Sequence, residues 1–74
     1  MGILGKYEIE MEYCNGDYQL FMYDNFVKAK RQFDDFLNCV KPLYAVLTDY
    51  MGHKIIEATY NIKTRKYTYE RERG

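Results

Sequence analysis

The sequence predicts an α+β fold in which one helix packs across one face of a single antiparallel sheet, in the order β-β-α-β-β-β. Two observations support this prediction: short segments with alternating apolar residues flank one segment with helical periodicity, and turn-forming residues separate these segments. The length of 74 residues indicates one domain, residues 1–74. The charged tail at residues 71–74 is expected to fray.

The first two predicted strands form a hairpin. From Tyr7 to Tyr13 apolar residues alternate with glutamates, which is typical of a half-buried strand. These glutamates are Glu8, Glu10 and Glu12. Asn15-Gly16 is the preferred pair for a two-residue type I′ turn, so the stretch from Tyr18 to Tyr23 is the predicted return strand.

A two-residue turn determines which residues share a face. The pairs expected on the apolar face are Tyr13 with Tyr18, Met11 with Leu20 and Ile9 with Met22. The reverse face then combines the three glutamates with Phe21 and Tyr23.

A helix is predicted from Phe26 to Val40, with Asp24 or Asn25 as its N-cap. Its apolar residues form one stripe at helical spacing, namely Phe26, Ala29, Phe33, Phe36, Leu37 and Val40. Pro42 is expected to end the helix.

Three more strands follow the predicted helix. Segments 43–50 and 54–60 read as strands around Met51-Gly52, and a polar turn at 61–66 precedes a last strand at 67–70. The expected apolar pairs are Leu47 with Ile56, Ala45 with Ala58 and Leu43 with Tyr60. The reverse face is expected to carry Tyr44, Val46, Thr48, Ile55, Glu57 and Thr59.

The composition excludes several classes of protein. The formal net charge is zero, and 47% hydrophobic residues with 18% aromatics are too many for a disordered chain. The longest uncharged apolar run, Leu43 to Leu47, is far shorter than the roughly 20 residues that span a bilayer. Residues 1–6 lack a signal-peptide core, so a cytoplasmic location is expected.

Catalytic motifs are weak in this sequence, and we expect a protein that is not an enzyme. It contains no serine, and Cys14 meets His53 only if two separate hairpin turns come together. Cys14 and Cys39 are interpreted as buried or bystander thiols. The glutamate row points side by side rather than toward one metal, and the glycines form no phosphate-binding motif. No cofactor or metal is expected.

One helix covers one face of a sheet, so the other face is the expected site of contact with a protein partner or a second copy in a dimer. The residues predicted for this site are Glu8, Glu10, Glu12, Phe21, Tyr23, Tyr44 and Val46. The alternative is that the chain covers this face itself, with Ile3, Leu4, Tyr67 or Tyr69.

The sequence is also compatible with two other functions, binding of a small anion and binding of single-stranded nucleic acid. An oligomer could hold a small anion such as a nucleotide between tyrosines and the basic residues Lys63, Arg65 and Lys66. An RRM-like domain would bind single-stranded nucleic acid by stacking, but the basic-aromatic motif is missing and the glutamates repel phosphate. The same glutamates, spaced about 6.6–6.8 Å apart along a strand, allow mimicry of nucleic acid.

The segment from Asp24 to Asn61, with Asp24-Asn25-Phe26 and the run from Tyr44 to Gly52, resembles small uncharacterised proteins of bacteriophages and mobile elements. The resemblance covers about half of the chain and carries no functional residue across. It implies a protein that binds and disables a host factor, such as a defence nuclease or its signalling nucleotide.

Overall fold

The computed structural model describes residues 7–71, which form one five-stranded antiparallel sheet and one helical segment. The elements are β1 (Tyr7–Glu12), β2 (Tyr18–Tyr23), α1 (Phe26–Asp35) with a π-helical turn (Phe36–Val40), β3 (Tyr44–Asp49), β4 (Lys54–Asn61) and β5 (Lys66–Arg71). The strand order across the sheet is β2-β1-β3-β4-β5. The predicted fold class is therefore confirmed. Residues 72–74 of the predicted tail, and the covering residues Ile3 and Leu4, lie outside the described residues.

The core lies between the sheet and one stripe of the helix. Ala29, Phe33 and Leu37 of the helical segment are buried against apolar side chains of the three central strands. The strand residues of this core are Ile9, Met11, Ala45, Leu47, Ile56 and Ala58. Because strand side chains alternate, the residues between them lie on the side of the sheet away from α1, which we call the open face.

The helix begins where the sequence predicts. Asn25 is the N-cap, and its Oδ1 accepts hydrogen bonds from the backbone N–H groups of Val27 (2.7 Å) and Lys28 (3.2 Å). At the other end, the Lys41 N–H donates to the Phe36 carbonyl at 2.8 Å, and Lys41 adopts left-handed backbone angles (φ 57°). The helical segment thus ends at Val40, and the left-handed C-cap Lys41 lies one residue before Pro42.

The predicted register of the first hairpin is wrong by one residue. The Tyr13 N–H donates to the Asp17 carbonyl and the Gly16 N–H donates to the Tyr13 carbonyl, both at 2.9 Å. Of the turn residues only Gly16 has positive φ (94°), whereas a type I′ turn requires it at Asn15 as well. The loop therefore has three residues, with a type I turn followed by a glycine bulge.

This shift moves every β2 side chain to the other face. Ile9 pairs with Phe21, and Glu10 pairs with Leu20. Phe21 packs on the Phe36 ring with centroids 5.1 Å apart, and it contacts the core together with Tyr23. The prediction that Phe21 and Tyr23 share a face with the glutamates is therefore wrong.

The second hairpin keeps its predicted register because a β-bulge compensates for its three-residue turn. Its turn has the same three-residue form: the Asp49 N–H donates to the His53 carbonyl, and Gly52 has φ 86°. A β-bulge between the Leu47 and Thr48 pairings then inserts one extra β4 residue, Ile55, and restores the register. Ala45 pairs with Ala58 and Leu47 with Ile56 as predicted, while Ile55 packs against the core rather than on the open face.

The third hairpin joins β4 to β5, with Asn61 opposite Lys66. The Arg65 N–H donates to the Asn61 carbonyl at 2.7 Å, and Arg65 has φ 61°. Tyr67 and Tyr69 pair with Tyr60 and Ala58 respectively, which places them on the helix side. The alternative in which Tyr67 or Tyr69 covers the open face is therefore wrong.

Candidate functional site

The centre of the open face is a row of side chains from three neighbouring strands. Glu10 of β1 pairs with Val46 of β3, which in turn pairs with Glu57 of β4. Val46 is only 4% exposed although α1 lies on the other side of the sheet. Directly opposed strand residues lie about 4.5–5.5 Å apart, so Glu10 and Glu57 are the immediate cross-strand neighbours of this valine on the open face. The row combines a buried apolar centre with charged tips.

A side-chain hydrogen bond connects Tyr44 of β3 to Glu57 of this row. The Tyr44 hydroxyl donates this bond to Glu57 Oε2, and the Lys54 Nζ lies 3.5 Å from the same oxygen. Burial, together with the hydrogen bond to Glu57, raises the pKa of Tyr44 to about 12. The Tyr44 hydrogen bond, and then the charge of Lys54, lowers the pKa of the Glu57 carboxyl. At neutral pH Glu57 is therefore ionised and Tyr44 is neutral.

The open face is acidic even though the whole chain is neutral. Alternation along the strands places five carboxylates on it, namely Glu8, Glu10, Glu12, Glu57 and Glu70. Two lysines of the described chain share this face, Lys54 and Lys66. The excess of carboxylates gives this side a negative potential that attracts cationic surfaces.

An apolar flank borders the carboxylates along β2. Tyr18, Leu20 and Met22 pair with Glu12, Glu10 and Glu8, so they lie on the open face. They are 59%, 43% and 53% exposed, respectively. Desolvation, followed by the negative charge of Glu10, raises the pKa of the Tyr18 hydroxyl. This flank provides exposed apolar area beside the charged rows.

The structure brings together most, but not all, of the predicted partner-binding residues. Those that share the open face are Glu8, Glu10, Glu12, Tyr44 and Val46. Phe21 and Tyr23 lie on the helix side, and the apolar flank takes their place. The sequence signal for the flank is weak, because β2 is apolar at both odd and even positions.

The predicted anion-binding residues lie in and just after the turn between β4 and β5. Lys63, Arg65 and Lys66 are all exposed there. Lys63 lines a shallow depression with Tyr60 and Ile62, and its N–H donates to Asn61 Oδ1 at 2.9 Å. The three cations thus sit at one tip of the molecule, away from the centre of the open face.

The residues considered for catalysis are separated. Cys14 follows β1 at the end of the sheet where β3 begins, because Glu12 pairs with Tyr44. His53 lies beyond the opposite end of β3, in the turn after Asp49. Cys14 and Cys39 are both free and exposed.

Within residues 7–71 no cluster of three or more His, Cys, Asp or Glu side chains is arranged to hold a metal ion. Over the same residues, no helix has the length and apolar character needed to cross a membrane.

Comparison of the chain with protein-family models, with curated proteins and with solved structures finds no match.

Proposed function

We propose that this chain is a small non-enzymatic binding protein that acts by stoichiometric contact between its open face and a basic surface of another protein. The observation that carries the proposal is the composition of that face. Glu10 and Glu57 flank Val46, and three more carboxylates (Glu8, Glu12 and Glu70) lie on the same face. The exposed apolar flank of Tyr18, Leu20 and Met22 lies beside the β1 glutamates. Apolar side chains supply desolvation energy in such contacts, while charges orient the partner and speed association.

The charge of the open face discriminates between candidate partners. A phosphate backbone would be repelled by the Glu8, Glu10 and Glu12 row, which disfavours the RRM-like function. A second copy docked face to face would oppose like charges, which is also unfavourable. A cationic protein surface gains from the same carboxylates, so it is the occupant that the geometry favours.

The resemblance to small phage proteins extends this proposal to a host protein as the partner. Basic surfaces that normally bind nucleic acid carry the Lys and Arg residues that a row of carboxylates complements. We therefore expect the partner to be a host nucleic-acid-binding protein whose basic surface becomes occupied.

The alternative function, sequestration of an anionic nucleotide, depends on a different part of the molecule. It requires the cations at the β4–β5 tip, namely Lys63, Arg65 and Lys66. Equilibrium dialysis with labelled cyclic nucleotides tests it separately, because the triple change of these residues to Gln leaves the open-face carboxylates intact.

The experiment compares two charge-reversed variants in capture of host proteins, followed by binding of the identified partner by calorimetry. The open-face variant combines Glu8→Lys with Glu10→Lys. The control combines Asp24→Lys with Asp35→Lys, which changes the net charge equally at exposed positions outside the sheet. Circular dichroism verifies that both fold.

We expect a one-to-one complex that the open-face variant weakens at least tenfold and the control leaves nearly unchanged. We also expect weaker binding as salt rises from about 0.1 M to about 1 M, because the Debye length falls from about 10 Å to about 3 Å. Equal affinity of the two folded variants would reject the open face as the binding surface.

A further inference from the structure

The two edges of the sheet differ in their chemistry. Within residues 7–71, β2 forms one edge and pairs only with β1, and its sequence Tyr-Gln-Leu-Phe-Met-Tyr contains no charged residue. β5 forms the other edge of the described sheet and contains Lys66 and Glu70. Charged residues on an edge strand oppose pairing with another chain, whereas an uncharged edge favours it. β2 is therefore the edge that is suited to accept a further strand.

The hydrogen-bond pattern shows which β2 backbone groups point outward. The Tyr13 N–H donates to the Asp17 carbonyl, and the Leu43 N–H donates to the Glu12 carbonyl. Odd-numbered β1 residues therefore bond toward β2, and even-numbered ones bond toward β3. By the observed register, the β2 residues bonded to β1 are Gln19, Phe21 and Tyr23. The groups left facing outward belong to Tyr18, Leu20 and Met22.

These outward-facing residues are the same three that form the exposed apolar flank. Their N–H and C=O groups are free of sheet partners within residues 7–71, and their side chains carry no charge. A strand added along this edge would therefore satisfy these backbone groups and extend the apolar flank, whose side chains stay on the open face.

We propose that β2 pairs antiparallel with β2 of a second copy of this chain, around a two-fold axis that passes beside Leu20. Leu20 then pairs with Leu20 of the partner subunit, and Tyr18 pairs with Met22 of the partner subunit. In this register every outward-facing group of the three residues meets a complementary group, and the two open faces lie on the same side. A shift by one residue would place the open face of one copy beside the helix side of the other.

Repulsion between the carboxylates of the two copies is weak in this arrangement. The acidic β1 strands of the two copies are separated by three strand spacings, or about 14 Å. This separation exceeds the Debye length of about 8 Å at physiological salt, so their repulsion is largely screened. Edge pairing thus joins the two sheets into one and leaves both acidic faces accessible to another protein.

The first test measures the mass of the native chain by light scattering coupled to size exclusion. We expect twice the 9.0 kDa mass of the chain. Leu20→Lys places a charge on the β2 edge and should yield a monomer, whereas Thr68→Lys places the same charge on β5 and should leave the dimer. A dimeric Leu20→Lys variant, or a monomeric native chain at high micromolar concentration, would overturn the proposal.

The second test needs no variant and locates the interface. Hydrogen exchange resolved by residue should show the Tyr18, Leu20 and Met22 amides protected as strongly as those of Gln19 and Phe21. In a dimer formed through another surface, the three amides would exchange rapidly while the mass stayed doubled. That outcome would reject β2 pairing without bearing on the partner proposed for the open face.

Discussion

Tyr44 on β3 donates a hydrogen bond to the carboxylate of Glu57 on the adjacent strand β4. The two residues are diagonal neighbours on the open face, since Tyr44 pairs with Thr59 and Val46 pairs with Glu57. The contact holds the carboxylate at the centre of the acidic face and couples its ionisation to the stability of the fold.

Removing this hydrogen bond should produce a loss of stability that depends on pH. Tyr44→Phe is expected to reduce the free energy of unfolding by about 1 kcal/mol at pH 7. Since the folded pKa of Glu57 lies below its ordinary value of 4.5, the stabilising contribution is present above that pH and disappears as the pH falls through the folded pKa. Urea denaturation of both proteins at pH 7 and at low pH measures it. A stability difference that stays constant in acid would show that the ionised carboxylate is not involved.

Tyr67 makes a second pH-dependent contribution to the free energy of unfolding, which is lost at high pH. Its hydroxyl donates to the Pro42 carbonyl at 2.6 Å, and burial raises its pKa from 10.0 to about 12. The raised folded pKa means that the contribution is complete below pH 10 and is lost as the pH rises through about 12. Tyr67→Phe should therefore cost about 1 kcal/mol at pH 7 and progressively less in alkali.

Denaturant unfolding at increasing pH, with tyrosinate absorbance followed in parallel, measures the Tyr67 contribution. Tyr69→Phe serves as the control, because Tyr69 is exposed and its hydroxyl makes no hydrogen bond within the described residues. The interpretation would be refuted if both variants lost equal stability at neutral pH.

The register of the first hairpin predicts that alanine substitutions at the neighbouring residues Phe21 and Leu20 differ in their cost in stability. Phe21→Ala should reduce the free energy of unfolding by about 2–4 kcal/mol, because its ring packs on Phe36 at the core. Leu20→Ala changes an exposed side chain and should cost less than about 1 kcal/mol in the monomer. Chemical denaturation at low protein concentration measures both. The register with a two-residue turn requires the opposite order of costs.

The left-handed C-cap at Lys41 offers a stabilising substitution. An L-residue at φ 57° carries a strain of about 1 kcal/mol that glycine avoids. Lys41→Gly is therefore expected to raise the free energy of unfolding by about 0.5–1 kcal/mol, whereas Lys41→Ala should not raise it. Thermal unfolding of the two variants provides the comparison. If glycine proved no better than alanine here, backbone strain would not be the cause.

The sequence alone was sufficient for the fold class and for the helix, because each has a local signal, and it narrowed the N-cap to Asp24 or Asn25, of which the structure selects Asn25. Alternation with glutamates identified β1, and helical spacing identified the helix. Of the predicted stripe, Ala29, Phe33 and Leu37 are buried, whereas its ends Phe26 and Val40 are exposed. For the candidate site, the same alternation correctly placed the glutamates on the face away from the helix.

Only the tertiary structure decided which face of β2 joins the core. Both faces of this strand are apolar, so its pattern favours neither register, and an Asn-Gly pair fits a two-residue or a three-residue turn. Packing of Phe21 on Phe36 settles the choice and leaves Leu20 exposed. The second hairpin has the same turn, yet its bulge at Ile55 restores the predicted pairs. A bulge depends on how the strand fits its neighbours, which no local pattern records.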